Sequence, residues 1–449
     1  MNKQRILKRQ LGLRTATALV IGEVIAVGIF LTPAAMAKSL GSPLWLLLVW
    51  LAMGVMAVCG ALCYAELAVR FPEAGGGYVY LREAYGPQVA FLYGWMCLLV
   101  MDPGITALLA VGIASYVAYS LLLSAIALKL IAIAVIIMLA VVNILGVRLG
   151  AWLMRWLTFL KLGLLLLILI WGFGFQLGDW SHFVPFAAQR ANSEPLLIGL
   201  AGAFIAAFFS FGGWWDVNKL AGEVREPARN LPRALIGGVL IVTLVYILTS
   251  AVFMYLVPVE SVKSGETFAA QAGEALFGRA GGQVFAGIVI ISVLGSLASI
   301  IMAAPRVYFA MARDGLFFPF AAEVHPTLGT PARAISLQAG LACLLVGLGT
   351  FNQILAYFIF VVVLFIALTV VALFVFRRRG SRPEPGYKAA GYPVTPLIFL
   401  GFEVILLAML LVHKPKQSLL GVFVVALGIP VYYLVFKRKA TRSSAETLD

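Results

Sequence analysis

Glu23, Asp102, Lys161 and Asp216 are charged side chains standing inside apolar runs. Lys161 sits in the middle of Thr158-Phe159-Leu160-Lys161-Leu162-Gly163, where insertion scales put a charge at about 2.5–3.5 kcal/mol. Asp102, in Met101-Asp102-Pro103, lies midway along another run, and Glu23 one turn before a glycine interruption. Acids at such depth serve as proton carriers, as partners of a cationic substrate, or as structural partners of Lys161 or another basic residue. Asp216 is placed either to pair with Lys219 or to cap water-filled space.

Other chemistry is poorly provided for. His182, His325 and His413 lie in separate loops, without the His-Glu-x-x-His spacing or activated nucleophile that an intramembrane enzyme needs. Cys59, Cys63, Cys97 and Cys343 fall in apolar runs without metal-ligand spacing and read as buried, reduced, small hydrophobes. No enzyme activity, metal or cofactor is expected.

The backbone offers more. Gly22-Glu23-Val24-Ile25-Ala26-Val27-Gly28-Ile29-Phe30, with Pro33 beyond, and Phe208-Phe209-Ser210-Phe211-Gly212-Gly213-Trp214 are apolar helical segments interrupted by glycine near their middles. Breaking a helix in lipid frees N–H and C=O groups that cost several kcal/mol unless something satisfies them. A zwitterion supplies both needs: a half-helix N-terminus favours a carboxylate, and carbonyls ending the other half accept from an ammonium. Glycines that merely let helices pack closely are the competing explanation.

The elements that must carry these residues follow from composition. Of 449 residues 62% are apolar and 12% charged, against about 25% charged in an ordinary soluble domain. The 44 glycines and 20 prolines suit membrane helices. At about 20 residues per span, twelve helices are expected: 14–39, 43–69, 86–119, 125–146, 149–175, 195–221, 232–257, 281–312, 333–350, 352–376, 393–412 and 418–436. The basic start and Ala35-Met36-Ala37 imitate a secretory signal. Glu23 interrupts the apolar stretch and many spans follow, so the segment is read as the first transmembrane helix.

The formal charge of +14 would suggest nucleic acid in a soluble protein, but the cations cluster at helix ends. With a cytoplasmic amino terminus, Lys38, Lys129, Arg190, Lys263, Arg279, Lys414 and Lys416 fall outside, Lys161 mid-span, and the rest of the 33 Lys and Arg inside. The positive-inside rule therefore puts both termini in the cytoplasm, with the bilayer as partner and no nucleic acid. The second broken helix comes five spans after the first, so spans 1–5 and 6–10 would be repeats of opposite orientation, with a secondary transporter's site between them. The division is a tail 1–13, repeat 1 at 14–175, repeat 2 at 195–379, helices 11–12 at 393–437, and a tail 438–449.

At these motifs the chain resembles the amino acid, polyamine and organocation superfamily, nearest its L-amino acid transporter branch of bacterial type. The first-span segment resembles the family's Ile-Gly-Ser-Gly-Ile-Phe, with Thr32-Pro33 following. Gly60-Ala61-Leu62-Cys63-Tyr64-Ala65-Glu66-Leu67, Gly75-Gly76-Gly77-Tyr78-Val79-Tyr80 and Ala90-Phe91-Leu92-Tyr93-Gly94-Trp95 match next. Phe209 to Trp214 is followed by Asn218, Glu223, Pro227, Arg229, Asn230, Leu231 and Pro232. Arg306, Arg313, Gly315, His325-Pro326, Thr330-Pro331 and Gly428-Ile429-Pro430-Val431-Tyr432 complete the series. Common order and spacing across nearly the whole chain carry the resemblance, since no motif is decisive alone.

The resemblance implies an all-α polytopic membrane protein of twelve transmembrane helices. Two five-helix inverted repeats form a LeuT-like fold, two helices are extra, and helices 1 and 6 are broken. It implies alternating-access transport of an L-amino acid across the plasma membrane. By position, the N–H groups of Val27 and Gly28 hold the substrate carboxylate, and the carbonyls of Val24, Phe209, Ser210 and Gly212 its ammonium. Phe209 covers the site from outside, and Trp215 faces the substrate side chain. Lys161 matches a lysine standing where sodium-coupled relatives bind an ion, which implies sodium independence; a structural or snorkelling lysine is the alternative.

Departures from the pattern bear on the substrate. Ala26 and Val27 replace the usual Gly and Ser, losing a hydroxyl and stiffening the loop. Trp215 stands where a smaller polar residue is common, so a small or neutral side chain is expected. Animal members join a single-span glycoprotein through a cysteine after the third span; this loop reads Ser120-Leu121-Leu122-Leu123-Ser124, so no disulfide-linked heavy chain is expected. Exchange or uniport and proton symport stay open, as does transport of cationic amino acids or polyamines with Asp102 meeting a second ammonium. A channel lined by Asp102 and Glu23 fits less well with two half-helices closing around a solute.

Overall fold

The computed structural model describes residues 7–120, 123–191, 193–258, 265–348, 359–380 and 386–437. Lys263, the leading residues 1–6, Leu121 and Leu122 of the third-span loop, and the tail 438–449 lie outside the described residues. The helices in chain order are α1 (Leu13–Val24), α2 (Gly28–Leu40), α3 (Pro43–Arg70), α4 (Gly77–Tyr85), α5 (Pro87–Ala118), α6 (Ala125–Leu145), α7 (Val147–Gly174) and α8 (Leu196–Phe211). A tight 3₁₀ stretch, Trp214–Glu223, continues α8. Beyond it run α9 (Pro227–Leu256), α10 (Gly265–Phe277), α11 (Gly281–Arg313), α12 (Ala332–Leu348), α13 (Ile359–Arg378), α14 (Val394–His413) and α15 (Pro415–Phe436).

Among the described residues 10 helices are long and apolar enough to cross a membrane, counting α8 with its 3₁₀ continuation as one. Two further expected spans coincide with the interrupted pair α1–α2 and with the 17-residue α12. Two helices lay outside the expected spans. Gly77–Tyr85 is short and weakly apolar, and Gly265–Phe277 carries Glu and Gln, so neither reads as a span.

Exposed apolar side chains locate the lipid-facing surface: Leu130 and Ile137 on α6, Trp156 and Ile170 on α7, Val404 on α14, and Leu419 and Phe423 on α15. Contiguous apolar surface of this extent is the mark of a bilayer-facing protein. The interior is organised around α1, which packs against α7, α9, α11 and the 3₁₀ stretch. Helix α9 lies along α3, and α11 lies against α5 and α7. Trp50 of α3 meets Tyr246 of α9 edge-on, with ring centroids 5.1 Å apart, and Phe211 packs at 5.1 Å on the same tyrosine.

At one end the chain before α1 is stapled beneath the 3₁₀ stretch. The N–H groups of Gln10 and Leu11 donate to Glu223 O at 2.8 and 2.9 Å, and Arg225 N–H donates to Leu11 O at 2.8 Å. The Glu223 carboxylate in turn accepts from Arg306 Nε at 2.7 Å and Nη2 at 3.2 Å, with both side chains buried.

Candidate substrate site

The first interruption is a tight turn rather than a long loop. Ile25 N–H makes the last bond of α1, to Ile21 O at 3.0 Å; Ile25 then leaves helical geometry at ψ 81°, and Ala26 N–H turns back to Val24 O at 2.8 Å. The first bond of α2 runs from Phe30 N–H to Val27 O at 3.2 Å. The N–H groups of Val27 and Gly28 make no backbone hydrogen bond to a described residue. The second interruption passes through Gly212, extended at ψ 146°, and Gly213 at φ +106°, a conformation that only glycine adopts without strain.

The two interruptions touch. A Cβ on Gly28 would lie 2.7 Å from Ser210 Oγ and 2.8 Å from Ser210 Cα, and one on Gly213 would lie 3.1 Å from Glu23 Cβ. The resemblance implies that the N–H of Gly28 holds a carboxylate. The contact actually present there is Ser210, so helix packing already requires the glycine. Thr32 Oγ1 donates to Gly28 O at 2.9 Å and lies 2.9 Å from Ser210 Oγ. From α9 the Tyr246 hydroxyl reaches Val24 O at 2.7 Å and Ser210 O at 2.8 Å. A hydroxyl has one proton, so it donates to one of these carbonyls at a time.

Lys161 reaches the interruption from α7. Its Nζ donates to Gly22 O at 2.9 Å, to Ile25 O, and to Ser296 Oγ at 3.0 Å, which gives each ammonium proton an acceptor. Ser296 Oγ passes its own proton to Gly22 O at 2.6 Å. The side chain is fully buried, so it does not snorkel. Room for it comes from Gly295, where a Cβ would stand 3.3 Å from Lys161 Cε.

A second ionic group ties the 3₁₀ stretch to α5. Lys219 Nζ donates to Asp102 Oδ1 at 2.9 Å and to Asp216 Oδ2 at 3.0 Å. Tyr308 Oη donates to Asp102 Oδ2 at 2.9 Å. Asp102 therefore uses both oxygens, and its basic partner is Lys219 rather than Lys161. A π-helical turn over Cys97–Met101 sets it inward ahead of Pro103, which lacks an N–H to continue a regular helix.

One cavity runs along both interruptions. Its wall includes Glu23, Val24, Ala26 and Gly28; Phe208, Phe209, Ser210, Gly212, Gly213, Trp215 and Asp216; Met101, Ile105, Leu108 and Leu109 of α5; Ser296 and Ile300 of α11; and Ile359 and Val362 of α13. Of the residues expected to bind substrate, Val27 is missing from the wall. Its side chain is buried and turned toward α5, with Cγ2 3.9 Å from where a Cβ on Gly112 would stand. Lys161 and Asp102 lie behind the wall. Trp215 stacks on Phe208 with centroids 6.5 Å apart, and Phe209 is partly exposed. A mostly apolar cleft with a few convergent polar groups is the usual form of a small-molecule site.

Sequence reasoning did not single out Tyr246, Ser296 or Tyr308, each a hydroxyl whose partner lies on another segment and leaves no local signal. It also passed over Glu403 of α14, buried with neither oxygen hydrogen-bonded to a described residue, beside a second cavity that shares Phe208 with the first. Among the described residues no group of His, Cys, Asp and Glu is arranged to hold a metal ion.

Comparison with known proteins adds a family. A family profile described as amino acid permease matches residues 11–436. The serine/threonine exchanger SteT of Bacillus subtilis (strain 168) is 32% identical over 439 residues, covering 97% of this chain and 98% of that one. The large neutral amino acids transporter small subunit 2 of Mus musculus is 30% identical, covering 95% and 81%. The b(0,+)-type amino acid transporter 1 of Mus musculus is 28% identical, covering 97% and 89%.

Proposed function

This chain belongs to the amino acid permease family, and from that premise we propose that it carries small or neutral L-amino acids across the plasma membrane by alternating access, without sodium. It is a multi-pass, all-α membrane protein and an amino acid transporter. The observation that carries the finer reading is the meeting of two interrupted helices at one cavity, with Gly28 against Ser210. There the free N–H groups of Val27 and Gly28 open a 13-residue helix whose positive end suits a carboxylate. The carbonyls of Val24, Phe209, Ser210 and Gly212 are the acceptors for the substrate's ammonium.

In this reading Lys161 occupies the place of a coupling cation, since its ammonium already satisfies the carbonyls that an ion would bridge. Residues 14–175 and 195–379 work as inverted repeats, residues 393–437 as accessory helices, and both termini are cytoplasmic. Trp215 and Phe208 narrow the side-chain end of the cavity, which favours small neutral substrates. Phe209 covers the site. The chain works without a disulfide-linked heavy chain, because Ser120 to Ser124 contains no cysteine.

The test is uptake by the purified protein in proteoliposomes over a panel of amino acids, with sodium replaced by choline. Saturable uptake of neutral L-amino acids, unchanged in choline, is expected. Steep sodium dependence, or unitary currents in place of saturable uptake, would overturn the reading.

A further inference from the structure

Glu23 is 8% exposed, lines the cavity, and has neither carboxylate oxygen hydrogen-bonded to a described residue. Asp216 lines the same wall, 1% exposed, with Oδ1 equally unpartnered. Charge counting gives these free oxygens a meaning. The charged groups around Glu23 are Asp216 and Lys219 of the 3₁₀ stretch, Asp102 of α5 and Lys161 of α7. The other helices packed on α1 present hydroxyls: Tyr246 of α9, and Ser296 and Ser299 of α11.

Three carboxylates thus face two ammoniums, and both ammoniums are engaged elsewhere. Lys219 is held by Asp102 and Asp216, and Lys161 by Gly22 O, Ile25 O and Ser296. The group is short of one positive charge, at a depth where an uncompensated carboxylate is costly. A zwitterionic substrate, neutral overall, cannot supply it.

We propose that Glu23 carries a transported proton, so that one proton accompanies each neutral amino acid; this rests on the transport reading above. From the acid side the carboxylate takes up a proton, forming one O–H bond, and on the other side that bond breaks and the proton leaves; nothing is oxidised or reduced. The neutral carboxyl can then donate within a cavity whose wall offers Asp216 Oδ1 as acceptor. Glu23 is also mechanically placed for coupling. Its Cβ lies against Gly213, at the seam between the two interrupted helices, where alternating access requires relative movement.

The test uses the full chain in sodium-free proteoliposomes with a trapped pH dye, with L-serine and L-leucine as probes. With wild type, adding external amino acid should acidify the lumen. Steady-state accumulation should rise about tenfold per unit of inward acid gradient, the limit for one proton per substrate. In Glu23→Gln the ratio of uptake with the gradient to uptake without it should fall to about one, and Glu23→Asp should regain part of the stimulation. Wild type that is active in counterflow but gives no lumen acidification when external amino acid enters vesicles free of internal substrate would overturn the proposal and leave the transport reading standing. So would a Gln variant that keeps the stimulation, or one that loses L-arginine uptake while neutral uptake proves insensitive to pH, since the free oxygens would then serve a side-chain ammonium. If the Gln variant fails to insert, the wild-type dye signal decides. Failure of wild type to take up or exchange any amino acid would overturn both readings.

Discussion

Lys219 Nζ lies 2.9 Å from Asp102 Oδ1 with both side chains at most 1% exposed, tying α5 to the stretch beyond the second helix interruption. Tyr308 donates to the other oxygen of Asp102, so each oxygen of this acid has a partner, while neither oxygen of Glu23 is hydrogen-bonded to a described residue. Asp102→Asn should therefore act on stability. Losing one partner of a buried pair costs about 3–5 kcal/mol, moderated here because Asp216 still holds Lys219. A lower melting temperature in detergent is expected, with acid-gradient stimulation retained in the protein that inserts. Lost stimulation at unchanged melting temperature would place the proton on Asp102.

Tyr246→Phe removes the hydroxyl that bridges Val24 O and Ser210 O and leaves the ring's packing on Trp50 in place. A buried carbonyl left without its donor costs about 1–3 kcal/mol. Lower thermal stability and a raised KM for uptake are expected, because the two carbonyls are also the proposed ammonium acceptors. Wild-type values of both would show the hydroxyl to be dispensable.

Gly28 should tolerate no side chain. Its Cβ would enter within 2.8 Å of the Ser210 backbone, which cannot yield as the end of a flexible side chain does. Gly28→Ala should already impair uptake, and Gly28→Leu should abolish it and lower stability by several kcal/mol, on the order of other overpacked cores. Radioligand binding and melting curves on the inserted protein check this. An alanine variant with wild-type binding would mean that the helices separate freely there.

Lys161→Ala withdraws the donor shared by Gly22 O, Ile25 O and Ser296 Oγ. Uptake should fall by at least about tenfold, since two carbonyls at the interruption lose a charge-assisted bond of about 1.5–3 kcal/mol. Uptake at saturating substrate in sodium and in choline checks it; wild-type rates in choline would reduce Lys161 to a packing residue.

Phe209→Ala opens the partly exposed ring position on the cavity wall. Transport should drop more than the amount of protein inserted, because polar contacts in the site weaken once water reaches them. Equal transport per inserted molecule would count against Phe209 as a cover.

Most of the helices could be read from the chain because lipid makes their signal strong. Every backbone group must be satisfied within its own segment, so spans appear as long apolar runs with charges at their ends. The same logic marked the interruptions at Gly28 and at Gly212-Gly213, and the lone charge Lys161 in the middle of a run. It could not rank Glu23, Asp102, Lys161 and Asp216 against one another. Sequence offered both Asp102 and Glu23 as candidates, whereas the fold gives Asp102 two partners and leaves Glu23 without a hydrogen bond to a described residue.

What the sequence determined by itself is where most long apolar helices run, where two of them are interrupted, and that Glu23, Asp102, Lys161 and Asp216 are carried to membrane depth. These follow from local composition and helical period. Which groups meet was decided by tertiary structure: Val27 turned toward α5, Tyr246 and Ser296 aimed at carbonyls of another segment, and Glu403 buried with no described partner. The physical reason is that an apolar helix in lipid has little amphipathic signal to fix its rotation. A lone hydroxyl can satisfy itself on its own preceding turn, as Thr106 does on Asp102 O at 2.7 Å, or reach across to a neighbour as Tyr246 does. The choice between them is set by packing contacts that exist only once the helices are assembled.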